Sequence, residues 1–231
     1  MKETDLAKPI IDYLESRNWD VYQEVPCGSG VADIVAVLDQ KVWVIELKKT
    51  LSIQLLDQAI LRHYKVNYVS IGVPLTKTHS SMSSPAVTMI LNTYGIGVFT
   101  VSKKGKVVEE RIPKLSEHAS DRLIKEVLKS LHPKMKQNKA GSLPGNNWTP
   151  WKEWKRDVAR IVSENPGITP KEMVEKLKTL APYTKPKNAE QAAVYYARNG
   201  LIERVRVAKE NNRLRLYPRE AIETRSKGMW G

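Results

Sequence analysis

The chain has 231 residues, of which 41% are hydrophobic and 27% are charged. This composition is typical of a globular protein with one large or two small domains, and no apolar run reaches the about 18 residues that a membrane span needs. The N-terminus lacks the apolar core and cleavage site of a signal peptide, and the single cysteine, Cys27, excludes an internal disulfide and a cysteine-rich zinc site. We therefore expect an intracellular protein, either cytoplasmic or nucleoid-associated.

Positive charge is concentrated in the second half of the chain. Residues 1–112 hold 13 basic and 12 acidic residues, whereas residues 113–231 hold 25 basic and 13 acidic residues, which gives net charges of +1 and +12. A polyanion such as DNA is the partner that we expect for this charge. A basic surface that only keeps the protein soluble is the alternative.

In the first part of the chain, the hydrophobic pattern predicts helices that alternate with strands. Leu6, Ile10 and Leu14 predict a first helix over 3–17, in which Pro9 introduces a kink or shifts the start. The other predicted helices are 52–66 (with Ser52 as N-cap), 85–94 and 117–131, and the predicted strands are 21–25, 31–38, 41–48, 67–73, 96–101 and 106–112. This order predicts an α/β fold with one mixed sheet flanked by helices.

The second part of the chain has a different pattern. Residues 133–150 have no apolar period and are rich in Pro, Gly, Asn and Lys, so we predict a linker between a domain at 1–132 and a smaller domain at 151–231. Three helices are predicted in the smaller domain. The first spans 151–164, the second begins after Thr169 as N-cap with Pro170 at its first position, and the third spans 188–199. Two strands follow, over 201–207 and 213–217.

The two strands over 31–38 and 41–48 carry an unusual set of charges. A two-residue turn at Asp39-Gln40 sets a register in which Asp33 lies directly opposite Glu46, where like charges destabilise a sheet. Lys48 follows on the same face as Glu46. Two carboxylates among apolar neighbours suit a hard divalent cation such as Mg²⁺, with the lysine beside it. The alternative is that they are ordinary edge charges, with the lysine as their ion-pair partner.

Asp33, twelve intervening residues and then Glu46-Leu47-Lys48 resemble the signature of the PD-(D/E)XK nuclease superfamily, although Val31 and Ala32 stand where that signature often has proline. The stretch GSGVADIVAV…VWVIELKKT is most similar to archaeal Holliday-junction resolvases and restriction-endonuclease-like enzymes, over residues 1–75. The resemblance implies a restriction-endonuclease-like fold and a DNA endonuclease that hydrolyses phosphodiester bonds with Mg²⁺ or Mn²⁺.

The resemblance also implies further site residues. Members often have an extra glutamate, for which Glu3 is the best match and Glu15 and Glu24 are alternatives. A glutamine on the next helix corresponds to Gln58, or to Gln54 one turn earlier. The implied catalytic residues are Asp33, Glu46, Lys48, Glu3 and Gln58, and the implied metal ligands are Asp33, Glu46, Glu3 and the backbone carbonyl of Leu47. Ser29 in the preceding loop is a candidate phosphate contact.

Three helices followed by a β-hairpin resemble a winged helix, whose third helix enters the major groove in DNA-binding members. The candidate DNA contacts of this domain are Lys152, Lys155, Arg156, Lys185, Lys187, Gln191, Tyr195, Arg198, Arg213 and Arg215. Winged helices also serve as protein-interaction modules. The alternatives for the whole chain are an inactive DNA-binding regulator on a nuclease fold and an RNA nuclease. Because nucleases that cut both strands are often dimers, we also expect a homodimer.

Overall fold

The computed structural model describes residues 1–28, 30–75, 84–142 and 147–219. The chain divides into two compact units, Met1–Asn147 and Trp148–Gly231. In the described part of the chain, no helix combines the length and the apolar character that a membrane span requires.

The first unit is an α/β structure built on a six-stranded mixed sheet with strand order β1-β2-β3-β4-β5-β6. The strand pairs are antiparallel except for β3–β4 and β4–β5, which are parallel. The elements in chain order are α1 (Glu3–Glu15), β1 (Asp20–Cys27), β2 (Gly30–Leu38), β3 (Lys41–Leu47), α2 (Ile53–His63), β4 (Tyr68–Pro74), α3 (Pro85–Thr93), β5 (Gly97–Val101), β6 (Val107–Arg111) and α4 (Asp121–Ser130).

Apolar side chains at helical spacing attach α1 to the sheet. Leu6, Ile10 and Leu14 are fully buried and belong to one core with Ile34 and Ile45 of the sheet. Burying such side chains contributes about 1.5–3 kcal/mol each, which gives α1 its fixed position. Pro9 lies inside α1 without ending the helix.

Helix α2 connects two parallel strands and contacts both of them, β3 and β4. It begins where the sequence predicted, because the Ser52 hydroxyl accepts the N–H of Leu55 at 3.3 Å and so caps the first turn. Helix α4 contacts β1 and β3 through a face that buries Ile124 and Val127. The sheet therefore has helices packed along the strands that carry the predicted site.

The predicted linker over 133–150 is corrected in its first half. Residues Pro133–Gln137 form a short 3-10 helix that contacts β1, and Met135 and Ala140 are buried in the first unit. The Asn138 side chain also donates to the backbone carbonyl of Gln23 at 3.2 Å. The sequence pattern missed this because the segment is held by isolated anchors rather than by a periodic apolar face.

Over its described residues, 148–219, the second unit has three helices and a two-stranded antiparallel sheet. Its elements are α5 (Pro150–Glu164), α6 (Pro170–Glu175), α7 (Pro186–Arg198), β7 (Val205–Glu210) and β8 (Arg213–Pro218). Thr169 and Glu172 cap α6 reciprocally. Strand β7 begins later than the predicted residue 201, because Arg204 has a φ of 62° and ends a turn there.

A separate apolar core holds the second unit together. Trp154, Val158 and Ile161 of α5 are buried together with the alanine face of α7, which consists of Ala189, Ala193 and Ala197. Three small residues at a spacing of four leave room for the bulky side chains of α5.

Candidate active site

The hairpin between β2 and β3 has the register that the sequence predicts. Its turn residues, Asp39 and Gln40, have φ values of 47° and 63°. A two-residue hairpin turn of type I′ has a positive φ at both of these positions. The strand pairs run from Leu38–Lys41 to Ile34–Ile45, and they end one residue before Asp33 and Glu46. The two carboxylates therefore stand at the point where the strands part.

At this point the side chain of Asp33, rather than a backbone carbonyl of β2, accepts a hydrogen bond from β3. The backbone N–H of Leu47 donates to Oδ2 of Asp33 at 2.7 Å, and the next residue, Lys48, donates its N–H to the carbonyl of Gly72 in β4 at 3.1 Å. The carboxylate of Asp33 is thus fixed against the end of β3.

Glu46 is buried, with only 1% of its surface exposed, and its partner is Arg62 of α2. The Nε of Arg62 donates to Oε1 of Glu46 at 2.7 Å, while Nη1 and Nη2 donate to the carbonyls of Cys27 at 2.5 Å and Val31 at 2.7 Å. Arg62 is not among the site residues predicted from the sequence. The signal in the sequence was its spacing, because it follows the buried Leu55 and Ala59 on the inward face of α2.

Burial raises the pKa of Asp33 to about 7, and the neighbouring charge of Glu46 adds to this effect. The N–H of Leu47 and the charge of Lys48 act in the opposite direction, and Glu24 is a further cause of the rise. Near neutral pH, an aspartate in this environment binds a proton or another cation more readily than an exposed aspartate.

Glu24 of β1 is a third carboxylate of this region. The β1–β2 pairs Gln23–Ile34 and Val25–Ala32 flank it, so the same register places Glu24 opposite Asp33. It adopts a left-handed φ of 55°, and the N–H of Gly141 donates to its Oε1 at 2.9 Å. Burial raises its pKa and the charge of Glu46 contributes. The structure thus favours Glu24, an alternative in the sequence analysis, as a neighbour of Asp33.

Glu3 and Lys48 are brought together by the start of α1 and the end of β3. The Nζ of Lys48 lies 3.8 Å from Oε1 of Glu3, and the two side chains are 28% and 23% exposed. At this distance and exposure the attraction is modest and both groups remain accessible. Lys48 therefore has a charged end that can turn to a ligand.

Gln58 has an oxygen without a partner. Its Oε1 is buried and accepts no hydrogen bond from the described residues. Gln58 lies one helical turn before Arg62 on α2, whereas Gln54 is exposed. A buried acceptor without a donor costs free energy, so this position suits a ligand that supplies one. Ser29 lies outside the described residues.

The donor set of this region fits a hard divalent cation. Among the described residues, no group of three or more His, Cys, Asp or Glu side chains is arranged to hold a metal ion. Mg²⁺ needs less than this, because it is usually bound by one or two carboxylates and keeps several waters. Asp33 and Glu46 supply two carboxylates. The raised pKa of Asp33 indicates that a positive charge beside this pair is favourable.

In the second unit, α7 presents a polar face to solvent. Lys187, Gln191 and Arg198 are exposed, and Tyr195 is 60% exposed. Tyr196, by contrast, packs into the core against Trp151 and Trp154. The exposed side chains at a spacing of three to four residues form one stripe that a partner can contact.

The other predicted DNA contacts differ in their surroundings. Arg156, Lys185 and Arg213 are exposed, Lys152 is half-buried, and the Nζ of Lys155 lies 3.7 Å from the ring centre of Trp151. Arg215 already has partners, because its Nη1 donates to the carbonyl of Gly167 at 2.6 Å and its Nε lies 3.6 Å from Glu210. These contacts indicate that Arg215 has a structural role.

No protein-family model and no curated protein matches this sequence. Among solved structures, the chain is similar to Pyrococcus furiosus SfsA in complex with Ca²⁺, with 12% identity and a TM-score of 0.29, over 48% of this chain and 61% of that chain. It is also similar to the protein of unknown function AF1548, with 13% identity and a TM-score of 0.32, over 86% of this chain and 98% of that chain. The chain thus spans less than two thirds of the SfsA chain, and similarities at these TM-scores carry no argument about function.

Proposed function

We propose that this protein is a divalent-metal-dependent DNA endonuclease with a restriction-endonuclease-like first unit, and that its second unit is a winged helix that binds the target. The observation that carries the proposal is the carboxylate pair of half-buried Asp33 and buried Glu46 at the parting ends of β2 and β3, with Lys48 next to them. Arg62 offsets the charge of Glu46, but no ion pair among the described residues involves Asp33, and the charge of this carboxylate beside Glu46 costs free energy without a cation.

The residues of the first unit have distinct roles in this proposal. Asp33 and Glu46, with the carbonyl of Leu47, would hold Mg²⁺ or Mn²⁺, which supplies a polarised phosphate and an activated water when it is bound. Lys48 stabilises the negative charge that develops on the phosphate. Glu3 keeps the Lys48 ammonium near the site through its 3.8 Å contact, and the unpaired oxygen of Gln58 accepts a hydrogen bond from a bound water.

The second unit supplies affinity in this proposal. The stripe of Lys187, Gln191, Tyr195 and Arg198 on α7 has the polar and cationic groups that contact phosphates and base edges. Arg213 at the start of β8 is exposed and extends the positive surface of the unit.

Strand cleavage of a supercoiled plasmid in the presence of Mg²⁺ or Mn²⁺ tests the proposal. We expect the wild type to nick or linearise the plasmid and Asp33→Asn to lose activity by at least about 100-fold, as when a charged group at a transition state is removed. Asp39→Asn is the matched control, because it makes the same change at the exposed turn of the same hairpin, where asparagine tolerates the left-handed φ.

Equal cleavage by the wild type and Asp33→Asn, or cleavage by neither, would show that the catalytic proposal is wrong. DNA binding without cleavage by the wild type would identify the inactive regulator. Cleavage of single-stranded RNA but not of plasmid, flap or four-way-junction DNA would identify an RNA nuclease.

A further inference from the structure

Arg62 is held in the first unit as a bound cation would be. All three nitrogen positions of its guanidinium donate to oxygens, namely the Glu46 carboxylate and the backbone carbonyls of Cys27 and Val31. The side chain is 7% exposed, and that of Glu46 is 2% exposed. Carboxylate and carbonyl oxygens are also the ligands of hard metal ions.

This arrangement makes one oxygen of Glu46 unfavourable for a metal ion. Oε1 accepts from Nε of Arg62 at 2.7 Å, so a cation bound at that oxygen would lie beside the guanidinium and be repelled by it unless the guanidinium were displaced. Displacement is costly, because a buried arginine that loses its partners leaves an uncompensated charge. The contacts to Cys27 and Val31 also fix the guanidinium independently of Glu46.

The charges of this region balance with one divalent ion. Glu24, Asp33 and Glu46 interact electrostatically, and together they carry three negative charges when ionised. Arg62 supplies one positive charge, and the Lys48 ammonium is already near Glu3. The remaining two negative charges match a single divalent cation, whereas two such ions would leave an excess of positive charge in a buried region.

We propose that Arg62 supplies, at Glu46, the positive charge that a second metal ion would otherwise supply, so that the site takes one divalent cation. This inference rests on the proposed function and specifies the metal stoichiometry of that site. Arg62 is a positioning residue in this scheme, because it acts through Glu46 and Asp33 rather than on the phosphate.

Calorimetric titration of the full chain with MnCl₂ at pH 8 tests the inference without an activity assay. We expect one Mn²⁺ per chain for the wild type. In Arg62→Met, which keeps an unbranched apolar stem but removes the charge, we expect at least about tenfold tighter binding, because the repulsion between two buried cations is lost. Arg62→Lys keeps the charge, although an ammonium cannot reproduce the guanidinium geometry, and it should bind one Mn²⁺ more weakly than Arg62→Met.

The outcomes separate this inference from the proposed function. Two Mn²⁺ per wild-type chain would overturn the inference and leave the nuclease proposal intact, as would unchanged or weaker binding by a folded Arg62→Met. No binding by the wild type or by either variant would overturn the metal site itself, and the inference with it. If Arg62→Met does not fold by circular dichroism, the stoichiometries of the wild type and Arg62→Lys decide.

Discussion

Asp33 shows how one residue reports the chemistry of its surroundings. Its carboxyl is half-buried, stands next to Glu46 and has its pKa raised to about 7, although the Leu47 N–H stabilises its ionised form. Burial is the larger cause and the like charge of Glu46 the next. A cation bound at this point would relieve both, because it replaces lost hydration and offsets the repulsion.

His63 is a second buried titratable residue, and it has no part in the proposed metal site. It is 7% exposed and contacts the rings of Tyr64, Tyr94 and His118. Burial lowers its pKa from the usual 6.5, and the charge of His118 contributes. Well above pH 6.5, His63 is neutral in both the folded and the unfolded chain. As the pH falls, the unfolded chain takes up the proton first, so the free energy of unfolding decreases.

We therefore expect that His63→Gln flattens the decrease of the melting temperature between pH 7.5 and pH 5 relative to the wild type. Glutamine keeps a polar group for the Ser116 hydroxyl, which lies 3.3 Å from Nε2 of His63, but it does not titrate. His118→Gln should have the same effect to a smaller extent, because His118 is the second cause of the shift. An equal decrease of the melting temperature between pH 7.5 and pH 5 in the wild type and in His63→Gln would contradict this explanation.

At the scale of elements, α7 makes the most specific prediction about DNA. Arg198→Ala should weaken binding of a labelled duplex and reduce the slope of log affinity against log salt by about one, since one phosphate contact is lost. Tyr195→Ala should weaken binding without changing that slope, because tyrosine carries no charge. Fluorescence anisotropy over a series of KCl concentrations measures both quantities.

Arg160→Ala is the matched control for this experiment. It removes the same charge from the second unit, but Arg160 lies on α5 and already pairs with Glu164 at 3.0 Å and Asp157 at 3.6 Å. Its loss should leave the salt slope as in the wild type. If Arg160→Ala and Arg198→Ala lowered the slope equally, α7 would not be the element that contacts DNA.

The elements also show which parts of the site were predictable. The turn at Asp39 and Gln40 fixes the register by counting, so the pairs from Leu38–Lys41 to Ile34–Ile45 were predictable, and the pairing ends one residue before Asp33 and Glu46. The spacing of Arg62 on α2 indicates an inward position, but its contact with Glu46 depends on how α2 packs on the sheet, which spacing alone does not give. The position of Glu24 opposite Asp33 was not predicted, because its left-handed backbone breaks the simple alternation of the strand.

At the scale of the whole molecule, charge and fold divide the chain at different places. The excess positive charge begins at residue 113, whereas the first compact unit extends to Asn147. The second unit, Trp148–Gly231, holds 18 basic and 10 acidic residues, a net of +8. The remaining +5 belongs to the first unit, so both units attract a polyanion and the proposed division between cutting and binding is not one of charge alone.

The central claim is that the carboxylate pair of Asp33 and Glu46 holds a divalent cation, and the melting temperature with and without Mn²⁺ at pH 8 tests it most directly. An ion present at about 100 times its dissociation constant stabilises the folded state by about 2.7 kcal/mol, a shift of several degrees. We predict that shift for the wild type and for Asp39→Asn, and none for Asp33→Asn. In EDTA, the melting temperature of Asp33→Asn should exceed that of the wild type, because the repulsion with Glu46 is removed. An equal shift in Asp33→Asn, or no shift in the wild type, would contradict the account.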